Sequence, residues 1–168
     1  FLKPYQKLRI LTFINPDRDP LGAGYQIIQS KIAIGSGGFF GKGFLSGTQT
    51  GLNFVPIQST DFIFSVIGEE FGYLGSMIFI ILYLIFLYRI LILSEYQKDK
   101  FARVFGYSTF SVFLFHFTVN VSMTLGLFPV IGIPLSFISY GGSSLLSFSL
   151  LLFVFLKLDS VKPSILAR

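Results

Sequence analysis

From Val104 to Leu156 the chain carries no formally charged residue. A membrane-spanning helix needs about 20 apolar residues, so the run is too long for one helix. Pro129, Gly132, Pro134 and the Gly141-Gly142 pair fall inside it. Proline removes a backbone donor and glycine loosens the backbone, so a helix ends there. The pattern predicts two spans, at about 104–127 and 143–157, with a re-entrant or surface turn at 128–142 between them. A further clean apolar stretch, Phe71 to Tyr88, predicts with its flanks a first span at about 62–91. Counted from Asp61, that span exceeds the bilayer thickness, so its first turns project beyond the hydrocarbon or the helix tilts.

Composition agrees. Only 12% of the residues are charged, against about 25% in soluble domains. The fold class is therefore all-α integral membrane, a polytopic helical bundle. Segment 1–60 reads as a loop with amphipathic or re-entrant pieces, and 61–168 as the transmembrane part. Asn15-Pro16-Asp17-Arg18-Asp19-Pro20 reads as a turn. Ile27, Ile28, Ile32 and Ile34 lie among Gln26, Gln29 and Lys31 and suggest a short amphipathic helix at the membrane surface. The chain opens at Phe1, and Phe1-Leu2-Lys3-Pro4 lacks the long apolar core of a signal peptide. A piece of a longer protein is expected.

The loop at 89–103 carries Arg89, Lys98, Lys100 and Arg103, and the tail carries Lys157, Lys162 and Arg168. Basic loops stay in the cytoplasm. This puts the C-terminus inside, and segment 1–60 and turn 128–142 outside. Net charge is +5, which in such a chain reflects topology and anionic lipid rather than nucleic acid. Without Cys, and with His116 as the one histidine, disulfides, thiolate metal sites and paired-histidine metal sites are excluded.

Asp61 stands where the polar segment meets the apolar runs. An ionisable group at such a border is costly and by default a functional candidate. It reads either as the N-cap of the first span or as a general base in a partly desolvated pocket. Glu69 and Glu70 follow two turns later and read as partners of Arg or Lys from other helices, with a cation site shared with Asp61 as the alternative. The Gly35–Gly43 cluster is not a P-loop: Ser36 replaces the first glycine and Gly43 the Ser/Thr. It reads as a flexible surface loop or as a nest of amides, with Gly37 and Gly38, which together with Lys31 and Lys42 receives an anionic head group. His116 and Asn120, one turn apart, read as interhelical hydrogen-bonding groups. Ser139-Tyr140-Gly141-Gly142-Ser143 is a second dense polar cluster, read as a helix break with small-residue packing or as backbone lining a wet cavity.

Several motifs occur in order: Lys3-Pro4-Tyr5-Gln6-Lys7-Leu8-Arg9-Ile10, Asp19-Pro20-Leu21-Gly22-Ala23-Gly24-Tyr25-Gln26, Gln29 to Gly38, Thr60-Asp61-Phe62-Ile63-Phe64 and Ser139 to Ser143. Together they resemble the C-terminal part of the SEDS (shape, elongation, division and sporulation) family, also called FtsW/RodA/SpoVE. Ser30 to Gly43 resembles the RodA branch more than FtsW. The resemblance implies the last three of about ten membrane helices and the large outer loop before them. It implies a peptidoglycan glycosyltransferase of the bacterial inner (plasma) membrane that polymerises lipid II during elongation and rod-shape maintenance. Implied partners are a class B penicillin-binding protein and the other membrane proteins of the elongation complex. It carries the family's essential aspartate onto Asp61. The family's Pro-Glu-x-His-Thr-Asp is here Pro56-Ile57-Gln58-Ser59-Thr60-Asp61, a second acid falls on Asn53, and Pro-Leu-Pro becomes Pro134-Leu135-Ser136.

On that resemblance Asp61 deprotonates an acceptor sugar hydroxyl, which displaces undecaprenyl pyrophosphate with inversion. Lys31, Lys42, Gly37 and Gly38 are candidates for binding the anionic substrate, with Ser139, Tyr140, Gly141 and Gly142 beside them. A divalent cation, Mg or Mn, is an open expectation with Asp61 as candidate ligand. Two rival readings are a lipid II flippase, whose polar residues would line a cavity reaching both faces, and a non-catalytic scaffold for a transpeptidase. The polar mass on one side favours the enzyme.

Overall fold

The computed structural model describes residues 9, 12–13, 22–52, 54 and 59–160. The turn at 15–20, Asn53 and residues 56–58 lie outside these. Among the described residues the helices with defined bounds are, in order, α1 (Ala23–Ser36), α2 (Thr48–Gly51), α3 (Ile63–Glu95), α4 (Lys100–Thr124) and α5 (Gly142–Ser160). Of the described helices, α3, α4 and α5 are long and apolar enough to cross a membrane. The chain is embedded in the membrane as an all-helical, polytopic unit.

Local chemistry sets the boundaries. Asp99 opens α4, its carboxylate accepting from the Ala102 N–H at 3.2 Å, as a short acidic side chain does at an N-cap. Gly126, with φ +70°, follows the C-terminus of α4, and Pro129, Gly132 and Pro134 keep 125–141 irregular. Gly142 starts the last helix.

α3 is not one continuous rod. Its 33 residues would make a rod of roughly 50 Å, but Gly72 breaks it with φ 66° and ψ −162°. Such a backbone is open to glycine almost alone. Beyond the break, residues 73–95 still measure about 35 Å, enough for a span. Two rungs of the helical ladder are missing at the break, and the glycine-rich loop supplies both sides of each. The Lys42 and Gly43 N–H groups donate to the Glu69 and Glu70 carbonyls at 3.1 and 3.0 Å. The Tyr73 and Leu74 N–H groups donate to the Gly38 and Phe39 carbonyls at 2.9 and 3.1 Å. Irregular backbone at membrane depth is tolerated where protein satisfies it. The backbones approach so closely that a Cβ on Gly41 would sit 2.1 Å from the Glu70 carbonyl oxygen.

The core between α3, α4 and α5 is aromatic. Tyr83 and Phe117 stack with centroids 4.3 Å apart, and Phe113, Phe148 and Phe155 fill the space beside them. Lipid tails are as apolar as these side chains, so close packing rather than water exclusion holds the helices. At Gly106 a Cβ would meet Ser94 Oγ at 2.2 Å and Phe155 at 2.6 Å. A second cluster, Ile27, Ala33, Phe62, Met123 and Val130, seats α1 against α3 and the end of α4. The helix read as lying on the membrane surface thus has a buried face on the bundle.

Candidate functional site

The segment that leads into α3 hangs on the rest of the molecule by three successive carbonyls. The Ser59 carbonyl accepts from the Tyr140 N–H at 2.8 Å. The Thr60 carbonyl accepts from the Ser139 hydroxyl, which itself accepts from the Leu135 N–H at 2.7 Å. The Asp61 carbonyl accepts from Asn120 Nδ2 at 2.9 Å. Asn120 gives its other amide proton to the Ile133 carbonyl at 2.8 Å. One turn earlier His116 Nδ1 donates to the Pro134 carbonyl at 3.1 Å. His116 and Asn120 thus tie α4 to irregular backbone rather than to another helix.

The Asp61 side chain is treated differently from its backbone. The N-cap of α3 is Phe62, and no side chain caps it. Asp61 is half-buried, and its Oδ2 faces Gly132, where a Cβ would come to 3.2 Å. Gly132 has φ +79°, so the turn that walls the carboxylate is itself a glycine position. The cap reading of Asp61 therefore fails, and among the described residues no hydrogen bond to its carboxylate is seen.

Glu69 is the opposite case. It is fully buried, and Lys42 Nζ lies 2.7 Å from its Oε1. The Gln49 and Thr50 N–H groups donate to its two oxygens at 2.8 and 2.9 Å, satisfying two open amides at the start of α2. Its partner is a lysine of this chain's own loop, not one from another helix. With these bonds filled, Glu69 is not free to share a cation with Asp61. Among the described residues no group of three His, Cys, Asp or Glu could hold a metal ion, so the cation expectation rests on Asp61 alone.

The sequence candidates separate into two groups, with Lys31 apart from both. Ser139 and Tyr140 come to the Asp61 segment, the first through its hydroxyl and the second through its N–H, while the Tyr140 ring is 80% exposed. Gly141 and Gly142 follow at the start of α5, where the Gly141 carbonyl accepts from the Ser144 hydroxyl at 2.9 Å. Lys42, Gly37 and Gly38 belong instead to the Gly72 break. There the loop amides point at helix carbonyls and Lys42 is paired, because the interrupted helix leaves orphan groups that claim them. Lys31 is exposed and lies along Gly126, where a Cβ would meet its Cε at 2.3 Å. Asn120, fully buried at the centre of the clamp, was not among the expected site residues. Its signal was a polar side chain four residues after His116 in a charge-free span.

The family model of FtsW, RodA and SpoVE cell cycle proteins matches residues 1–162. The chain is 52% identical over 144 residues to the peptidoglycan glycosyltransferase RodA of Treponema pallidum, covering 86% of this chain and 33% of the relative. It is 46% identical over 142 residues to the peptidoglycan glycosyltransferase MrdB of Escherichia coli K12, covering 84% and 38%. Among solved structures, a chain from a peptidoglycan synthase complex that coordinates polymerization and crosslinking superposes with a TM-score of 0.75 at 36% identity. That match covers 95% of this chain and 43% of the other. The chain thus spans between a third and two fifths of the length of these two relatives.

Proposed function

The chain belongs to the FtsW/RodA/SpoVE family of cell cycle proteins, and from that membership we propose that it is the catalytic part of a peptidoglycan glycosyltransferase. Its substrate is lipid II, polymerised into glycan strands at the outer face of the bacterial plasma membrane during elongation. The C-terminus is cytoplasmic, and the Asp61 end of the bundle faces outward. A class B penicillin-binding protein is the partner that crosslinks the strands, and other elongation-complex membrane proteins assemble around them.

The observation that carries this reading is an Asp61 backbone held at three successive carbonyls, with a carboxylate that no described residue caps or pairs. A general base needs both a free lone pair and a fixed position. Asp61 accepts the proton of the acceptor sugar's hydroxyl. The freed oxygen bonds to the donor's anomeric carbon as the bond to pyrophosphate breaks, and the undecaprenyl pyrophosphate leaves with that electron pair. One base and one displacement invert the anomeric centre. Lys31, exposed beside the end of α4, is a candidate among the described residues for receiving the leaving anion. Ser139 and the Tyr140–Gly142 backbone wall the site. A divalent cation at the pyrophosphate would take Asp61 and groups outside those described, and no step above requires it.

The test is lipid II polymerisation by the full-length protein with its transpeptidase partner present. Strands from wild type and none from folded Asp61→Asn support the reading. Strands from both reduce Asp61 to a structural residue. None from either favours a flippase or a scaffold.

A further inference from the structure

The Asp61 backbone is anchored from a direction that the reaction itself does not explain. Asn120 is completely buried in α4, 59 residues along the chain from the group it holds. Its amide nitrogen lies between two carbonyl oxygens, those of Asp61 and Ile133. Only an N–H can satisfy either, so the orientation of the amide is dictated. That orientation leaves Asn120 Oδ1 buried with no hydrogen-bond partner. A buried acceptor without a donor is destabilising, and a residue that tolerates it is held there by its other bonds. The two bonds it makes join the two walls of the carboxylate's surroundings, the Asp61 backbone on one side and the Ile133–Gly132 turn on the other.

We propose that Asn120 is a positioning residue for Asp61, setting the distance between its carboxylate and the Gly132 turn, with Ser139 as a second, weaker clamp one residue earlier. This rests on the reading of Asp61 as the general base. Asn120 touches no reacting atom. It acts by keeping the Asp61 carbonyl and the 132–133 backbone at one separation, so that the carboxylate meets the acceptor hydroxyl in a single geometry. Ser139 does the same for Thr60 through its hydroxyl, which also holds the Leu135 N–H. Removing Asn120 breaks the Asp61 and Ile133 bonds together, the two nearest the carboxylate, whereas removing Ser139 leaves the Asn120 and Tyr140 bonds in place.

The experiment compares full-length wild type, Asp61→Asn, Asn120→Ala and Ser139→Ala with the transpeptidase partner, measuring kcat and KM for lipid II below each variant's unfolding midpoint. A misplacement of about 1 Å costs about 10²-fold, so Asn120→Ala is expected to lose about 10²-fold in kcat and Ser139→Ala about tenfold. KM should stay within about twofold for both, since neither residue contributes uniform substrate binding. A kcat within about twofold of wild type for folded Asn120→Ala, with Asp61→Asn inactive, overturns the positioning role and leaves the base standing. A loss carried by KM overturns it as well, because it makes Asn120 a substrate-binding residue. Polymerisation by Asp61→Asn overturns both readings, since there is then no base to position. If Asn120→Ala does not fold, Ser139→Ala decides on the same criteria.

Discussion

Asp61, in the turn just before α3, and Glu69, inside it, are treated by the protein in opposite ways. At the entry to α3 the backbone is bound and, among the described residues, the carboxylate is not. At the Gly72 break the carboxylate is bound as tightly as the backbone, by Lys42 and the amides of α2. Both regions solve the same problem, irregular backbone at the border of a membrane, with donors from distant segments. Only one solution leaves an acid over. Burial or charge alone would have singled out Glu69, the more buried of the two, so the useful distinction is whether the lone pairs are already taken.

The sharpest way to break the contrast is to remove each acid. Asp61→Asn is expected to lower polymerisation by about 10²–10⁴-fold, the usual contribution of a general base, with an unchanged thermal midpoint. A midpoint that falls together with activity would put Asp61 in the same structural class as Glu69. Next in size is the break itself. Gly72→Ala places a Cβ 2.3 Å from the Gly41 nitrogen in a backbone with φ 66°. The strain should destabilise the protein by about 3 kcal/mol, read by thermal unfolding in detergent. A neutral outcome would mean that the loop does not carry the interrupted helix.

A double-mutant cycle sharpens the comparison further. Lys42→Met and Glu69→Gln should couple by about 1–3 kcal/mol in stability, whereas Lys42→Met and Asp61→Asn should be additive. Coupling to Asp61 instead would bring Lys42 back as a substrate ligand. The smallest effect is expected at the open lysine. Lys31→Ala should raise KM for lipid II by about 1.4- to fivefold, the scale of an exposed ionic contact of about 0.2–1 kcal/mol. An unchanged KM would remove Lys31 from the anion site.

The spans were legible because a charge-free run broken by Pro129, Gly132 and Pro134 leaves few ways to cross a bilayer. Asp61 was legible because an acid at the edge of such a run is conspicuous. The glycine cluster was legible as irregular but not as a patch for α3, since nothing near Gly35–Gly43 names a partner that is 27 residues further on. Gly72 gave no warning, because one glycine in an apolar run is ordinary in a membrane helix. The partner of Glu69 and the role of Asn120 were out of reach for a common reason. Side chains that bond groups far along the chain leave no local period, and only the packing of the molecule around α3 brings them together.

In mechanical terms, the two missing rungs at Gly72 make α3 a jointed rod. A continuous helix passes any tilt of its membrane portion to its outer end in full. Here the nine residues 63–71 are coupled to the span through loop 38–43, and the stiffness of that joint is the stiffness of four hydrogen bonds. A bilayer of different thickness that leans the span therefore loads those four bonds first, while the residues just before the outer end stay tied to Tyr140, Ser139 and Asn120.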